Sequence, residues 1–460
     1  MALKPVVFIP GFPASTLVSV TTRDTIFPPS FGDLFDSQEI AAAVELICDN
    51  PPGALEAGEP VREILDIAKQ AQSLYDRLQA FGYTVDSGDN LAPVGWDWRK
   101  GVDDPVVQQK VTAAIARLRQ ANGGAKVIAI VHSTGGLVLR ALLESQPALA
   151  GSIEHILALG VPWAGTLKSF RYLLKGERIG LGPLGLSAAQ VRRVMRHAQA
   201  AYDLLPPDPA RTDLTLESGT PLDLFVDGAG RPITPLLKRA WCQPADPEVD
   251  ARSLAADARL GARASTIAVP TPPITNVVGW GGATEVQYRM NAAGAVGDPN
   301  IDKNGDTTVP AHSAAWLRGP AVRTFFLPIG AYPLSSIPHF HSRIWDSPPV
   351  DQFLDEILKD VAREPFVCAS CDHDQVIESR TPLTIRLSAA DENGRPLPGA
   401  KVELRRVPIV GAFSFGGGVR MNLEVPRTQW IANVGTNRVR FVAVVTWNGG
   451  TREVALLAHV

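Results

Sequence analysis

Five short apolar runs constrain the fold most: Val6–Ile9, Lys126–His132, His155–Leu159, Ile274–Val278 and Val322–Leu327. Each is continuous, rich in Val, Ile or Phe, and bounded by turn residues, the pattern of a strand covered on both faces. One-sided stripes of helical period lie between them. Val61–Phe81 carries Val61, Ile64, Leu65, Ala68, Ala71, Leu74, Tyr75 and Leu78, and Val106–Ala121 repeats the pattern with Val107, Val111, Ile115 and Leu118. Leu137–Glu144 and Val350–Val361 read as further helices. Strands alternating with helices predict an α/β fold with a mainly parallel sheet.

Two insertions, residues 27–60 and 167–273, break the alternation. The second holds an amphipathic stretch over Ala188–Leu205 and much Pro-rich chain. It is too long for a structureless loop inside a compact domain, so both are expected to form a lid or cap. The α/β domain is expected to run over residues 1–365. Beyond it, Leu383–Leu387 and Lys401–Leu404 alternate with period two, and Arg438–Trp447 leads through Asn448–Gly450 into a last run. Residues 366–460 therefore predict a small all-β sandwich.

The 460 residues hold 44 Lys and Arg against 47 Asp and Glu. That balance excludes a polybasic nucleic-acid binder, which needs clustered positive charge to displace counterions. No apolar run reaches the ~20 residues that cross a bilayer. Four cysteines cannot make a disulfide scaffold. Cys368 and Cys371 form a C-x-x-C pair without a second such pair, expected to be a local disulfide or two thiols rather than a redox or zinc site. Cys48 and Cys242 fall one in each insertion and can pair only if those segments meet. The chain begins Met1–Pro5 and enters its first strand with no secretory leader pattern. The expected location is the cytoplasm, or outside the cell if a leader has been removed.

The densest chemical signal follows the second run. Val131-His-Ser-Thr-Gly135 lies between a strand and a helix, the setting in which a G-x-S-x-G pentapeptide holds a nucleophilic serine in a strained turn. Val131 stands where the first glycine would be. Ser133 is the expected nucleophile, and His132 reads as structural. In such a sheet the chain order is serine, acid, histidine. Of eight histidines, His339 and His341 lie in the loop after the last strand, and His341, about one turn ahead of an apolar anchor, is preferred as base. The acid is expected beyond Ile274–Val278, where Glu285, Asp298, Asp302 and Asp306 are available. Asn304–Pro310 is a turn suited to fixing the carboxylate of Asp306. A Ca²⁺ loop over Asp298–Asp306 is the rival, though its helical flanks and closing Glu are missing. The oxyanion donors would be the backbone N–H groups of Thr134 and Phe12, since Pro13 has none to offer.

Taken together these segments resemble the lecithin:cholesterol acyltransferase-like α/β-hydrolases, which include lysosomal phospholipase relatives and bacterial lipases. Ile9–Leu17 is similar to the family's P-G-x-x-x-S-x-L opening, and Val94–Arg99 to its Y-D-W-R signature, with Trp96 for Tyr. Gly160–Thr166 is similar to the G-T-P-x-x-G-[ST] turn, and Ala201–Pro206 to a lid-region motif. Gly305–Pro310 resembles G-D-G-T-V-P, with Thr307 for Gly. The resemblance covers roughly residues 4–362 and implies an α/β-hydrolase fold, with Ser133, Asp306 and His341 as triad and Phe12 as oxyanion donor. It also implies a structural role for Asp97, Trp98 and Arg99. Residues 391–402 look like part of a bacterial immunoglobulin-like domain.

The expectation is thus a serine esterase or lipase that cleaves lipid or other acyl esters through an acyl-enzyme, needing no cofactor and no metal. The lid would touch a lipid surface; oligomeric state is not legible. Transfer of the acyl group to an alcohol is one alternative, and a non-catalytic binding protein on the same scaffold is the other.

Overall fold

The computed structural model describes residues 3–30, 37–49, 53–64, 68–69, 71–85, 89–178, 186–206, 214–216, 271–280, 282–290, 297–302, 305–317, 319–328, 340–359, 366–371, 384–390, 401–407, 430–433, 439–447 and 450–458. Its centre is a sheet of six strands: β1 (Val6–Ile9), β2 (Leu91–Pro93), β3 (Val127–His132), β4 (Ile153–Leu159), β5 (Ile274–Trp280) and β6 (Val322–Pro328). Their order is β6-β5-β4-β3-β1-β2, and every neighbouring pair is parallel. Strand β2, only Leu-Ala-Pro, is too short to show a pattern of its own and was not legible as a strand.

Alternation along the strands builds two cores. Val6 and Phe8 of β1 share one face with Ile128, Ile130, Leu157 and Leu159, while Val7 and Ile9 share the other with Ala129, Val131 and Ala158. Both faces are covered, which is why the runs are continuously apolar.

The helices that matter below are α1 (Ser37–Asp49), α2 (Gln72–Ala80), α3 (Pro105–Ala121), α4 (Thr134–Ser145), α5 (Leu167–Leu174), α6 (Ala188–His197), α7 (Gln199–Asp203) and α8 (Pro348–Lys359). Asp104 caps α3 by accepting the Val106 N–H at 2.9 Å, and Pro105 takes the first helical position, where its missing N–H costs nothing. Val107, Val111, Ile115 and Leu118 face the core. Leu74, Tyr75 and Leu78 of α2 and Val350, Phe353, Leu354 and Leu358 of α8 cover the opposite face. Among the described residues no helix is long and apolar enough to cross a membrane.

Two helical expectations need correction. The stripe over Val61–Phe81 is helical only from Gln72. Glu63–Ile64 pairs antiparallel with Ala68–Lys69, and the Val61 N–H donates to Ala14 O at 2.9 Å. A hydrogen bond to the loop after β1 and a hairpin pairing outweigh local helical periodicity there. The stretch Ala188–Leu205 is broken between α6 and α7, where Ala198 takes an extended conformation (φ −98°, ψ 110°).

Leu55–Pro60, at the end of the first insertion, pairs with Ser15–Ser19, which pairs with Thr25–Phe27, in a small antiparallel sheet; α1 lies within the insertion. The two insertions meet: Arg193 of α6 pairs with Glu45 of α1, one guanidinium nitrogen lying 2.7 Å from Glu45 Oε2. Cys48 is buried on α1. Cys242 and most of residues 207–270 lie outside the described residues.

In the C-terminal part, Phe366–Cys371, Thr384–Ala390 and Trp430–Asn433 form one antiparallel sheet, and Lys401–Val407, Val439–Trp447 and Gly450–Ala458 another. Cys368 and Cys371 lie on one extended strand.

Candidate active site

Ser133 occupies the single residue between β3 and α4, with φ +50° and ψ −130°. A non-glycine residue in this region is strained and is held there by its surroundings. Its N–H donates to Leu159 O at 3.0 Å, and the Gly136 N–H donates back to its carbonyl at 3.0 Å. The turn needs close approach on its helix side: a Cβ on Gly135 would lie 2.3 Å from Ile9 O. Val131, in place of the motif's first glycine, is fully buried within the sheet, where a side chain is accommodated.

His341 begins the short helical turn His341–Asp346, which precedes α8. Its Nε2 lies 3.0 Å from Ser133 Oγ and its Nδ1 lies 2.6 Å from Asp306 Oδ2. All three side chains are buried: relative exposure is 6% for Ser133, 8% for His341 and 0% for Asp306. The structure thus brings the three residues together from the end of β3, from the Gly305–Pro310 turn and from the helical turn that precedes α8.

The Asp306 carboxylate is fixed by its own loop. Oδ1 accepts the N–H groups of Thr308 at 3.0 Å and Val309 at 2.7 Å, leaving Oδ2 for the histidine. Gly305 bridges Pro310 across the turn. Thr307 carries φ +80°, a glycine-like conformation, and its N–H donates to Thr284 Oγ1 at 3.0 Å.

The loop after β1 lies against Ser133. A Cβ on Gly11 would stand 2.7 Å from Ser133 Cβ, and Phe12 follows it in that loop. Thr134 opens α4, where first-turn N–H groups lack intrahelical acceptors and carry the positive end of the helix dipole. The loop is anchored by the segment after β2. Trp96 Nε1–H donates to Pro10 O at 2.9 Å, Trp98 Nε1–H to Ser15 O at 3.0 Å, and the Trp96 N–H to Ser15 Oγ at 3.0 Å. Trp98 also meets the Phe12 ring edge-on at 5.6 Å. Asp97 and Arg99 form a buried two-point pair at 2.9 and 2.7 Å. The segment reaches the second insertion too: Arg99 O accepts the Gln199 N–H at 2.9 Å, and Asp203 accepts the Val102 N–H at 2.9 Å.

The other candidates are placed elsewhere. Glu285 accepts from Arg171 at 2.5 Å and from the Tyr288 hydroxyl at 2.9 Å, on the strand Thr284–Met290. Asp298 is exposed and lies 3.6 Å from Lys175. Asp302 ends a short strand, with 303 and 304 outside the described residues, as is His339. Among the described residues no group of three His, Cys, Asp or Glu is arranged to hold a metal.

Sequence reasoning missed the supports around these residues. Thr284, 22 residues before Asp306, left no signal of its contact. His132 reads as structural in the sequence, and the contact it makes is with the backbone: its Nε2 lies 2.9 Å from His341 O. Its place beside Ser133 was a signal, but the acceptor 209 residues away was not visible.

Residues 61–221 match the family model for lecithin:cholesterol acyltransferase. The lysosomal phospholipase A and acyltransferase of Rattus norvegicus is 25% identical over 199 residues, covering 40% of this chain and 41% of that protein. That of Homo sapiens is 28% identical over 153 residues, covering 31% and 36%. The phosphatidylcholine-sterol acyltransferase of Gallus gallus is 34% identical over 150 residues, covering 31% and 35%. The matched portion therefore spans well under half the length of each of these relatives.

Proposed function

We propose, from the premise that residues 61–221 belong to the lecithin:cholesterol acyltransferase family, that this protein is a serine hydrolase of carboxylic esters, lipid esters first among them. Ser133 is its nucleophile, His341 its base and Asp306 the acid that orients the base. The observation carrying this reading is the continuous contact from Asp306 Oδ2 through both ring nitrogens of His341 to Ser133 Oγ. As Ser133 Oγ attacks the ester carbonyl, its proton passes to His341 Nε2, and Asp306 stabilises the imidazolium without taking the proton. The N–H groups of Phe12 and Thr134 hold the tetrahedral oxyanion. His341 then protonates the leaving alcohol, and water attacks the acyl-enzyme by the same route in reverse.

Transfer of the acyl group to an alcohol is the second reading. Burial of Ser133 and His341 favours it, because a site with little solvent access gives a bound alcohol an advantage over water. The insertions joined through Arg193 and Glu45 are the proposed cap over the site, with the α/β domain over 1–365 and a β sandwich over 366–460.

A fluorophosphonate probe tests the reading. It should label the wild-type protein and fail to label Ser133→Ala. A folded wild type that resists labelling refutes the hydrolase and leaves a binding protein on this scaffold. Product analysis with a competing alcohol separates hydrolysis from transfer.

A further inference from the structure

We infer that His132 is a positioning residue for His341, tying the backbone of the base to the turn that carries the nucleophile; this rests on the hydrolase reading above. His132 and Ser133 are consecutive, so a bond from His132 to the backbone of residue 341 sets how far Ser133 stands from the imidazole of the same residue. The two contacts together, His132 Nε2 to His341 O at 2.9 Å and Ser133 Oγ to His341 Nε2 at 3.0 Å, clamp one residue at its backbone and at its ring.

The chemistry of the contact fixes the tautomer. A carbonyl oxygen only accepts, so Nε2 of His132 carries the proton and donates. In the neutral ring Nδ1 then has no hydrogen, and it faces Gly11, where an added Cβ would lie 3.4 Å away. His132 thus stands between the loop of Phe12 and the loop of His341. Its ring lies 4.9 Å from that of His341 and 4.8 Å from that of Trp345, centre to centre.

A cation at this distance would oppose formation of the His341 imidazolium. Burial, reinforced by the charge of His341, pushes the pKa of His132 down to about 3. The ring therefore supplies a donor without a competing positive charge. The rest of the turn is held from α2, by Ser73 on Trp345 Nε1 at 2.9 Å and by Arg77 on Asp346 O at 3.1 Å.

The test compares His132→Leu and His132→Gln in the full-length protein, with an ester substrate and a fluorophosphonate probe. Leucine fills the space without a donor, whereas the glutamine amide reaches the place of Nε2. The Leu variant should lose about 10- to 100-fold in kcat and in labelling rate, with KM within about twofold, because misplacement of the base acts on the reacting step. The Gln variant should recover most of that loss. Labelling of the Leu variant at the wild-type rate, or equal losses in Leu and Gln, overturns the inference. Should the Leu variant melt below assay temperature, His132→Asn replaces it. Its amide stops short of the carbonyl, so it should be slow where Gln is fast, and equal rates for the two overturn the inference. Failure of the wild type itself to label counts against the hydrolase reading instead.

Discussion

Trp96 donates its indole N–H to the carbonyl of Pro10 at 2.9 Å, and both groups are buried between the sheet and the loop that carries Phe12. Replacing Trp96 with Phe keeps a ring but leaves the Pro10 carbonyl without that donor. An unsatisfied buried acceptor costs ~1–3 kcal/mol of stability. The loop also loses its anchor next to the oxyanion, so kcat should fall about tenfold or more. Thermal melting and steady-state kinetics check both, and a stability loss with unchanged kcat would show that the remaining contacts of Ser15, with the Trp96 N–H and the Trp98 indole, suffice to hold the loop.

Asp306→Asn should leave the turn intact, since an amide oxygen can still accept the N–H groups of Thr308 and Val309. What it loses is the negative charge 2.6 Å from His341 Nδ1. A loss of ~10⁴ in kcat is expected, the scale seen when the corresponding aspartate of a serine protease becomes an amide. Melting temperature and KM should change little. A residual rate above a tenth of wild type would shift the acid role away from Asp306.

Gly11→Ala places a methyl group 2.7 Å from Ser133 Cβ and 3.2 Å from Ser133 Oγ. Something must move, and the strained serine turn has no slack. Activity should fall by ~10²-fold, the scale of a small misplacement of reacting groups, while the far side of the sheet keeps its packing. Kinetics and a crystal structure of the variant would check this directly.

Acid should weaken the fold through two buried histidines. Burial, and secondarily the charge of His341, holds the pKa of His132 at about 3; burial, with Arg323 and Lys4, lowers that of His155 to about 4. In the unfolded chain each takes up a proton near pH 6.5, whereas in the fold it does not. The unfolded state therefore binds more protons below pH 6.5. Stability is complete above that value and is lost as pH falls toward 4, by ~1.4 kcal/mol per pH unit for each histidine. Urea unfolding midpoints between pH 7 and pH 5 measure the slope, and His155→Gln should make it shallower.

The sequence by itself determined five of the six sheet strands and the turn. Val6–Ile9 and Val127–Val131 are apolar at every position because both faces are covered, a demand local enough to read without coordinates. Ser133 between a strand and two glycines was legible for the same reason, since a tight strand-to-helix turn is encoded by neighbours in the chain. Asp306 and His341 could be narrowed to loops by chain order, with their meeting left open. Tertiary structure decided that meeting: contacts at 2.6 and 3.0 Å join residues 35 and 208 positions apart, and no local pattern records such a distance. It also turned the stripe from Val61 into a hairpin, because a backbone hydrogen bond to Ala14 outweighs helical periodicity. And it gave His132 its acceptor, since the chain shows which donors exist but only the packed fold shows what they face.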